Sequence, residues 1–132
     1  MIRVGVPIAV CIAALSLSAA AQELGRPDIQ RAELAGRSIF ERNCAPCHGT
    51  GAGDDGSRNL PGTAKLEERY EGVLPGELEL RGDLNAATLR LFVRRGIGPM
   101  PAFRPSEISD AEIAAIAEYI AATARMNSHV ED

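Results

Sequence analysis

The sequence predicts an all-α fold built as a single small domain. Apolar residues recur at three- and four-residue steps in several segments, as they do on the inner face of a helix. No stretch of useful length alternates apolar and polar residues, which is the pattern of a half-buried strand. The motif Cys44-Ala45-Pro46-Cys47-His48 directly follows the first helical segment. We therefore expect the helices to surround a site built on these five residues.

Residues 1–21 have the features of an export signal. Arg3 is followed by an apolar run over 4–17, and Ala19-Ala20-Ala21 matches an A-x-A cleavage site. The run is shorter than the roughly 20 residues of a membrane-spanning helix, which disfavours an uncleaved anchor. We therefore expect residues 1–21 to be a signal peptide and residues 22–132 to be one domain. The predicted location is the periplasm, without stable membrane insertion.

Two helices are predicted in the first half of the mature chain. After a loose lead-in, residues 30–43 have a helical pattern that includes Ile39 and Phe40. Residues 49–62 are rich in Gly, Asp, Ser, Asn and Pro, a composition typical of loops and turns. A second, short helix is expected over 64–70.

Two further helices are predicted in the second half. Asn85 is expected to cap a helix over 86–95, because its side chain can accept a backbone N–H of the first turn. The segment Ser109-Asp110-Ala111-Glu112 is a capping box. A stripe of isoleucine and alanine after it predicts that the last helix runs to about Ala124. The tail from Asn127 onwards is expected to fray.

Composition limits the partners and crosslinks of the chain. There are 14 basic and 18 acidic side chains, and loss of Arg3 with the signal leaves 13 against 18, a formal charge of −5. Nucleic acid requires clustered positive charge and is not an expected partner, whereas acidic charge can steer a protein toward a basic docking patch. Cys11 lies in the signal segment. The remaining Cys44 and Cys47 leave no cysteine for a structural disulfide.

The spacing C-x-x-C-H indicates a c-type haem site. Two thiols at this spacing on a turn can add to the two vinyl groups of one haem, and the adjacent imidazole can bind the iron. A thioredoxin-like redox pair or half of a zinc site would also contain C-x-x-C. The export signal, an available second iron ligand and the shortage of other zinc ligands favour haem. The sequence thus predicts one covalent haem c held by Cys44, Cys47 and His48.

Met100 is the predicted second axial ligand. It lies between Pro99 and Pro101, which stiffen the backbone around a thioether that binds iron only weakly. Core packing is the alternative role for a methionine in so small a domain. Ligation by histidine and methionine raises the reduction potential relative to two imidazoles, as suits an acceptor of electrons from reduced organic cofactors.

Other polar residues are candidates for supporting the haem. The carbonyl of Pro61 would accept the second ring N–H of His48 and fix its tautomer, with an ordinary turn proline as the alternative. Four side chains are candidate partners of the haem propionates or, alternatively, solvated helix residues: Arg69, Tyr70, Arg94 and Arg95. No nucleophile–base pair or pair of carboxylates is evident. The prediction is therefore an electron-transfer protein and not an enzyme.

These residues resemble class I c-type cytochromes. The resemblance rests on Gly36-x-x-x-Phe40-x-x-x-Cys44-x-x-Cys47-His48, on Met100-Pro101 and on a last helix carrying Tyr119, and it covers essentially the whole mature chain. It implies the cytochrome c fold, in which helices wrap around one haem and the first and last helices cross beside it. Gly36 and Phe40 would lie at that crossing, with Tyr119 packed there.

The second half of the chain is similar to the small cytochrome subunits of flavocytochromes that oxidise 4-alkylphenols, such as 4-cresol dehydrogenase and eugenol hydroxylase. The similar segments are Leu60-Pro61-Gly62-Thr63, Arg69-Tyr70, Arg81-Gly82-Asp83-Leu84, Met100-Pro101-Ala102-Phe103-Arg104 and Glu107-Ile108-Ser109-Asp110. The resemblance implies a separate flavoprotein dehydrogenase subunit whose reduced FAD passes electrons singly to this haem. A downstream small redox protein or oxidase would then be the acceptor, and 102–104 would be docking surface.

Two alternatives to this function remain open. A freely diffusing periplasmic shuttle would serve an oxidase, a reductase or a quinoprotein dehydrogenase through the same haem chemistry. An enzyme or sensor with an open iron site would require that Met100 does not bind the iron.

Overall fold

The computed structural model describes residues 34–129. The predicted signal peptide, the lead-in and the start of the first predicted helix lie outside the described residues. Within that range there are five α-helices, one 3₁₀ turn and no strand: α1 Arg37–Asn43, α2 Ala45–His48, α3 Pro61–Tyr70, the 3₁₀ turn Leu78–Leu80, α4 Ala86–Arg95 and α5 Asp110–Ser128. The predicted all-α fold is confirmed. None of the helices in this range is long and apolar enough to cross a membrane.

The crossing of α1 and α5 is built on a glycine and two aromatic rings. A Cβ atom placed on Gly36 would lie 2.1 Å from the backbone oxygen of Ala115, so only glycine allows the two backbones to come this close. One turn later, the rings of Phe40 and Tyr119 pack with centroids 5.3 Å apart at a tilt of 48°. This is a favourable aromatic arrangement, and it agrees with the crossing that the sequence predicts.

The core lies between α5 and the elements packed against it. Helix α5 contacts the 3₁₀ turn, α4 and α1. The fully or nearly fully buried apolar side chains are Phe40, Leu84, Leu89, Val93, Ile108, Ile113, Ile116, Ala117, Tyr119, Ile120 and Ala124. Most of them come from α4 and α5, which explains why the predicted isoleucine stripe is the clearest helical pattern in the sequence.

The predicted caps are present. The side chain of Asn85 accepts a hydrogen bond from the backbone of Thr88, and Gly96 ends α4. At the start of α5, Ser109 accepts from the backbone N–H of Glu112, whose carboxylate in turn accepts from the backbone N–H of Ser109. Both features satisfy N–H groups that have no partner within their helix.

Three helix boundaries differ from the sequence prediction. Residues 34–36 form a turn, with the N–H of Arg37 donating to Leu34, so the described part of the first helix begins at Arg37. Helix α3 begins at Pro61 and not near residue 64, because proline in a first helical turn gives up no hydrogen bond. Helix α5 continues to Ser128, since no glycine or proline interrupts it after Ala124.

Candidate haem site

The C-x-x-C-H motif lies on a single tight turn. Cys44 ends α1 and also precedes α2, and its carbonyl accepts from the backbone N–H groups of Cys47 (3.1 Å) and His48 (2.8 Å). Residues three apart in a helical turn share a face. The turn therefore places the two thiols side by side, with the imidazole next along the chain.

The two thiols differ in their surroundings. Cys44 is half-buried and packs against the hydrophobic core, whereas Cys47 is exposed. Burial, with a smaller effect of the neighbouring Cys47, raises the pKa of the Cys44 thiol to about 11. An uncharged sulfur is favoured at this position, which suits a thioether link to a porphyrin better than a thiolate bound to a metal ion.

Zinc lacks a ligand set in the part of the chain that the structure describes. No group of three or more His, Cys, Asp or Glu side chains in residues 34–129 could hold a metal ion. A structural zinc site needs four such ligands. The donor set at α2, two sulfurs and one imidazole, fits haem c and does not fit a closed zinc site.

His48 is half-buried and packs against a glycine. A Cβ atom on Gly62 would lie 2.7 Å from Cε1 and 2.8 Å from Nδ1 of the imidazole, so the backbone of α3 covers one side of the ring. Burial lowers the pKa of His48. Burial therefore favours the neutral form of the ring, which is the form that binds a metal.

One ring nitrogen of His48 lacks a hydrogen-bond partner in the described residues. Nδ1 is buried and has no hydrogen-bond partner within residues 34–129. A buried polar atom without a partner is rare, and a metal-binding histidine normally donates its other N–H to a nearby carbonyl. Pro61 precedes the glycine that covers the ring. Its role as acceptor stays a prediction.

Thr63 is a buried residue that binds next to the C-x-x-C-H motif, and the sequence analysis did not identify this role. Its side chain is 1% exposed, and Oγ1 donates to the carbonyl of Gly49 at 2.9 Å. This bond ties α3 to the residue that follows His48. The only signal in the sequence is a small polar residue just inside a helix whose other polar residues are mostly charged.

Met100 lies in the loop between α4 and α5, residues 96–109, which is called the Met100 loop below. Backbone hydrogen bonds hold this loop in place. The N–H of Met100 donates to Ile97 (3.0 Å), and its carbonyl accepts from the N–H of Ile97 (3.2 Å). The N–H of Phe103 donates to Val93 at 2.8 Å, which returns the loop to α4. The Met100 side chain is half-buried and contacts the core. Backbone hydrogen bonds therefore hold the loop in place, and stiffening by the flanking prolines stays a prediction.

Arg94 holds the same loop from α4. Its guanidinium donates to the carbonyls of Phe103 (3.0 Å) and Ile108 (2.8 Å) and to Asp110 Oδ1 (2.7 Å). The sequence left Arg94 as a propionate partner or a solvated helix residue. In the structure, Arg94 instead donates hydrogen bonds to Phe103, Ile108 and Asp110. The planar guanidinium group can bind several oxygen acceptors at once.

Arg81 forms a second polar cluster that sequence reasoning missed. It is 3% exposed, and it donates from Nε and Nη2 to both carboxylate oxygens of Asp83, at 2.6 and 2.7 Å. Its guanidinium carbon lies 4.7 Å from the centre of the Tyr70 ring. The hydrogen bonds from Arg81 lower the pKa of Asp83. The only signal in the sequence is the Arg-Gly-Asp spacing, which allows a bidentate pair across a turn.

Comparisons with known proteins identify the family of the chain. Residues 31–120, more than half of the chain, match the family described as "Cytochrome C oxidase, cbb3-type, subunit III". Cytochrome c6 of Picosynechococcus sp. is 32% identical over 86% of this chain and 92% of its own length. Cytochrome c6 of Microcystis aeruginosa is 33% identical over 67% of this chain and 94% of its own length. No solved structure gave a significant match. The chain belongs to this cytochrome c family and is a class I c-type cytochrome, a mono-haem electron carrier with covalently bound haem c.

Proposed function

We propose that Cys44 and Cys47 attach the haem and that His48 and Met100 are its axial ligands. Haem c supplies reversible one-electron oxidation and reduction. The observation that carries the assignment is the tight turn that places Cys44, Cys47 and His48 together, since two thiols and an imidazole at this spacing are the donor set of haem c. We propose the Pro61 carbonyl as the acceptor for Nδ1 of His48, which has no hydrogen-bond partner within residues 34–129. The backbone hydrogen bonds of the Met100 loop support the second ligand.

Axial ligation by Met100 and covalent attachment through Cys44 can be tested separately. Met100→Ala should open the iron, lower the reduction potential and allow the ferrous protein to bind carbon monoxide. Cys44→Ala should impair stable haem attachment, measured as haem lost on denaturing gels. An unchanged potential and no carbon monoxide binding in the Met100 variant would remove Met100 from the ligand set. Carbon monoxide binding by the unaltered protein would instead favour an open-site enzyme or sensor.

For the physiological role, we propose the electron-accepting subunit of a periplasmic flavoprotein dehydrogenase that acts on 4-alkylphenol-type substrates. Reduced FAD in that subunit would give electrons singly to this chain, which would pass them to a small redox protein or an oxidase. The supporting observation is the packing of Tyr70, Arg81 and Asp83 into one cluster. These residues belong to two of the segments that are similar to flavocytochrome subunits, so the similar segments meet in space. Export by the signal peptide at residues 1–21 is part of the proposal.

A freely diffusing shuttle is the second candidate. The observation in its favour is that the chain spans 92% and 94% of two relatives that are named simply cytochrome c6. Native purification from the periplasm decides between the two, with flavin absorbance and apparent mass followed together. Haem that co-elutes with a larger flavin-bearing chain supports the subunit. Haem that elutes alone at the mass of the mature domain, without flavin at modest salt, supports the shuttle.

A further inference from the structure

The first turn of α3 packs directly against the turn that carries His48. A Cβ atom on Gly62 would lie 2.7 Å from the carbonyl oxygen of Cys47, in addition to its close approach to the imidazole ring. The backbone of α3 therefore contacts both the ring of the proposed iron ligand and the backbone that carries this ring. Any displacement of this first turn would change the space in which the imidazole lies.

Thr63 makes the polar link between these two elements. Its Oγ1 donates to the carbonyl of Gly49, which can only accept, at 2.9 Å. The N–H of Gly49 donates in turn to the carbonyl of Ala45 at 2.9 Å, which closes the last turn of α2. Because Gly49 directly follows His48, the Thr63 hydrogen bond fastens the end of α2 to the first turn of α3.

The other side of Thr63 is enclosed as well. A Cβ atom on Gly76 would lie 2.5 Å from the carbonyl oxygen of Thr63 and 3.1 Å from its Cγ2 methyl group. The backbone of Gly76 therefore leaves the threonine little room to move away from Gly49. Threonine is also branched at Cβ, which restricts the rotation of its side chain. The hydroxyl is thus held in the orientation that reaches Gly49.

Packing alone does not require a hydroxyl at this position. Thr63 is a fully buried residue of α3, with a side chain that is 1% exposed. Valine has almost the same shape and would fill the same space, and burying a polar group costs free energy unless it is hydrogen-bonded. By contrast, the other side-chain hydrogen bonds of α3 lie at its surface: Asn59 with Glu67 and Lys65 with Glu68. The buried hydroxyl therefore points to a role of the hydrogen bond itself.

We propose that Thr63 is a positioning residue for His48, and that its hydrogen bond to Gly49 fixes the orientation of the imidazole and thereby tunes the reduction potential. Contacts outside the metal ligands orient a ligating histidine and change the properties of the metal. Hydrogen bonds around the ligands are one of the means by which a protein sets a haem potential. Thr63 acts through the backbone at Gly49, whereas Gly62 contacts the ring itself. The inference rests on the proposed ligation by His48.

The test compares the holoprotein with Thr63→Val, which keeps the shape of the side chain and removes its hydrogen-bond donor. Two readouts report on the iron site: the g values of the ferric haem in electron paramagnetic resonance spectra, and the equilibrium with a redox mediator of known potential. In Thr63→Val the g values should shift, and the equilibrium constant for reduction should change about threefold, as expected from part of one buried hydrogen bond. If either the g values or the equilibrium constant stay unchanged, the proposal is overturned, even if the variant is less stable.

Two further variants separate the hydrogen bond from a general loosening of the fold. Thr63→Ser keeps the hydroxyl and should keep the g values of the unaltered protein. Thr123→Val is the matched control, because Thr123 is 0% exposed and its hydroxyl donates to the carbonyls of Tyr119 and Ile120 within α5. This control should lose stability and leave both readouts unchanged. A shift in Thr123→Val as large as that in Thr63→Val, or Thr63→Ser values that match those of Thr63→Val, would overturn the proposal.

Alanine variants provide the same comparison if Thr63→Val does not accumulate with haem. Thr63→Ala also removes the donor, and it adds no atom that could clash at this position. It is compared with Thr123→Ala by the same two readouts, and the same outcomes support or overturn the proposal.

The unaltered protein tests the proposed ligation separately. Low-spin ferric signals of histidine and methionine ligation are expected from the proposed ligands. Their absence would overturn the ligation and with it the role of Thr63. Signals that are present but independent of Thr63 would overturn the positioning role alone and leave the ligands as proposed.

Discussion

The α1–α5 crossing and the Met100 loop are held by different kinds of interaction. At the crossing, Gly36 allows close backbone contact, and Phe40 packs against Tyr119. The loop has few buried apolar side chains and is held by backbone hydrogen bonds and by Arg94. The crossing is thus stabilised by close packing of apolar side chains, whereas the loop is stabilised by hydrogen bonds.

This difference has a consequence for function. A weak thioether bond to iron requires that the loop hold its position, but an electron carrier also needs that region to be accessible to a partner. Deep burial of the loop would satisfy the first need and prevent the second. Hydrogen bonds with Arg94 and Val93 of α4 hold the loop backbone, while Ile97 in the loop stays 50% exposed.

The largest expected loss of stability follows from a change at the crossing. Phe40→Ala removes a side chain that is 1% exposed and leaves a cavity against Tyr119. We expect the free energy of unfolding to fall by about 3–5 kcal/mol. The measurement is guanidinium unfolding of the holoprotein. Val73→Ala, at a position that is 82% exposed, is the control and should change the value by less than about 0.5 kcal/mol. Similar losses in the two variants would show that Phe40 is not a core residue.

A glycine substitution tests the geometry of the loop. Gly96 has φ +62° and ψ 162°, a conformation that is strained for other residues, and a Cβ atom there would lie 2.6 Å from the carbonyl oxygen of Met100. Gly96→Ala should cost about 1–3 kcal/mol from the backbone conformation and more from the clash. It should also weaken the ferric absorption band of sulfur-ligated haem.

Gly98→Ala is the matched control for this effect. Gly98 also has a positive φ, +56°, but a Cβ atom there would meet nothing within 4 Å. The control should lose stability from backbone strain alone and keep the absorption band. If both variants keep the band, the position of the Met100 carbonyl does not control ligation.

The features that the sequence predicted correctly depend on local patterns. The capping box at Ser109 and Glu112 is set by spacing along one helix, and the structure confirms it. The crossing positions Gly36 and Phe40 follow from the family resemblance, and the structure confirms them as well. The missed features are long-range hydrogen bonds made by polar side chains. Arg94 binds residues 9 to 16 positions away, and Thr63 binds a carbonyl 14 positions away. Such partners are brought together only by tertiary folding, so no local pattern indicates them.

A conservative change at Arg94 should have a moderate effect confined to the loop. Lysine keeps the charge but cannot donate to Phe103, Ile108 and Asp110 together. We expect Arg94→Lys to cost about 1–2 kcal/mol and to speed amide hydrogen exchange at Phe103 more than at Ile120 in α5. Arg95→Lys is the control, because Arg95 donates no hydrogen bond within residues 34–129. Equal acceleration at both amides would indicate global unfolding and not a local brace.

The smallest expected effect is on the pH dependence of stability. It comes from the Arg81–Asp83 pair, which lies in neither the crossing nor the Met100 loop. Hydrogen bonds from Arg81 lower the pKa of Asp83 in the folded protein below its value of about 3.9 in the unfolded chain. The unfolded state therefore binds a proton first as pH falls, so this contribution is complete above about pH 4–5 and is lost as pH falls toward the folded pKa. Asp83→Asn should make the acid-side loss of stability shallower. The side chain of Asp83 is 47% exposed, so solvent limits the effect to roughly 0.5 kcal/mol.

Urea midpoints from neutral pH down to the acid limb provide the measurement for Asp83→Asn. Asp54→Asn removes an exposed carboxylate that has no ion pair within residues 34–129, and it should reproduce the acid limb of the unaltered protein. A steeper acid limb in Asp83→Asn would reverse the sign that the Arg81 contact requires. The crossing and the loop should respond to pH alike in both variants, because neither region contains the Arg81–Asp83 pair. A pH effect on the absorption band of sulfur-ligated haem, specific to Asp83→Asn, would contradict this and link the pair to the Met100 loop.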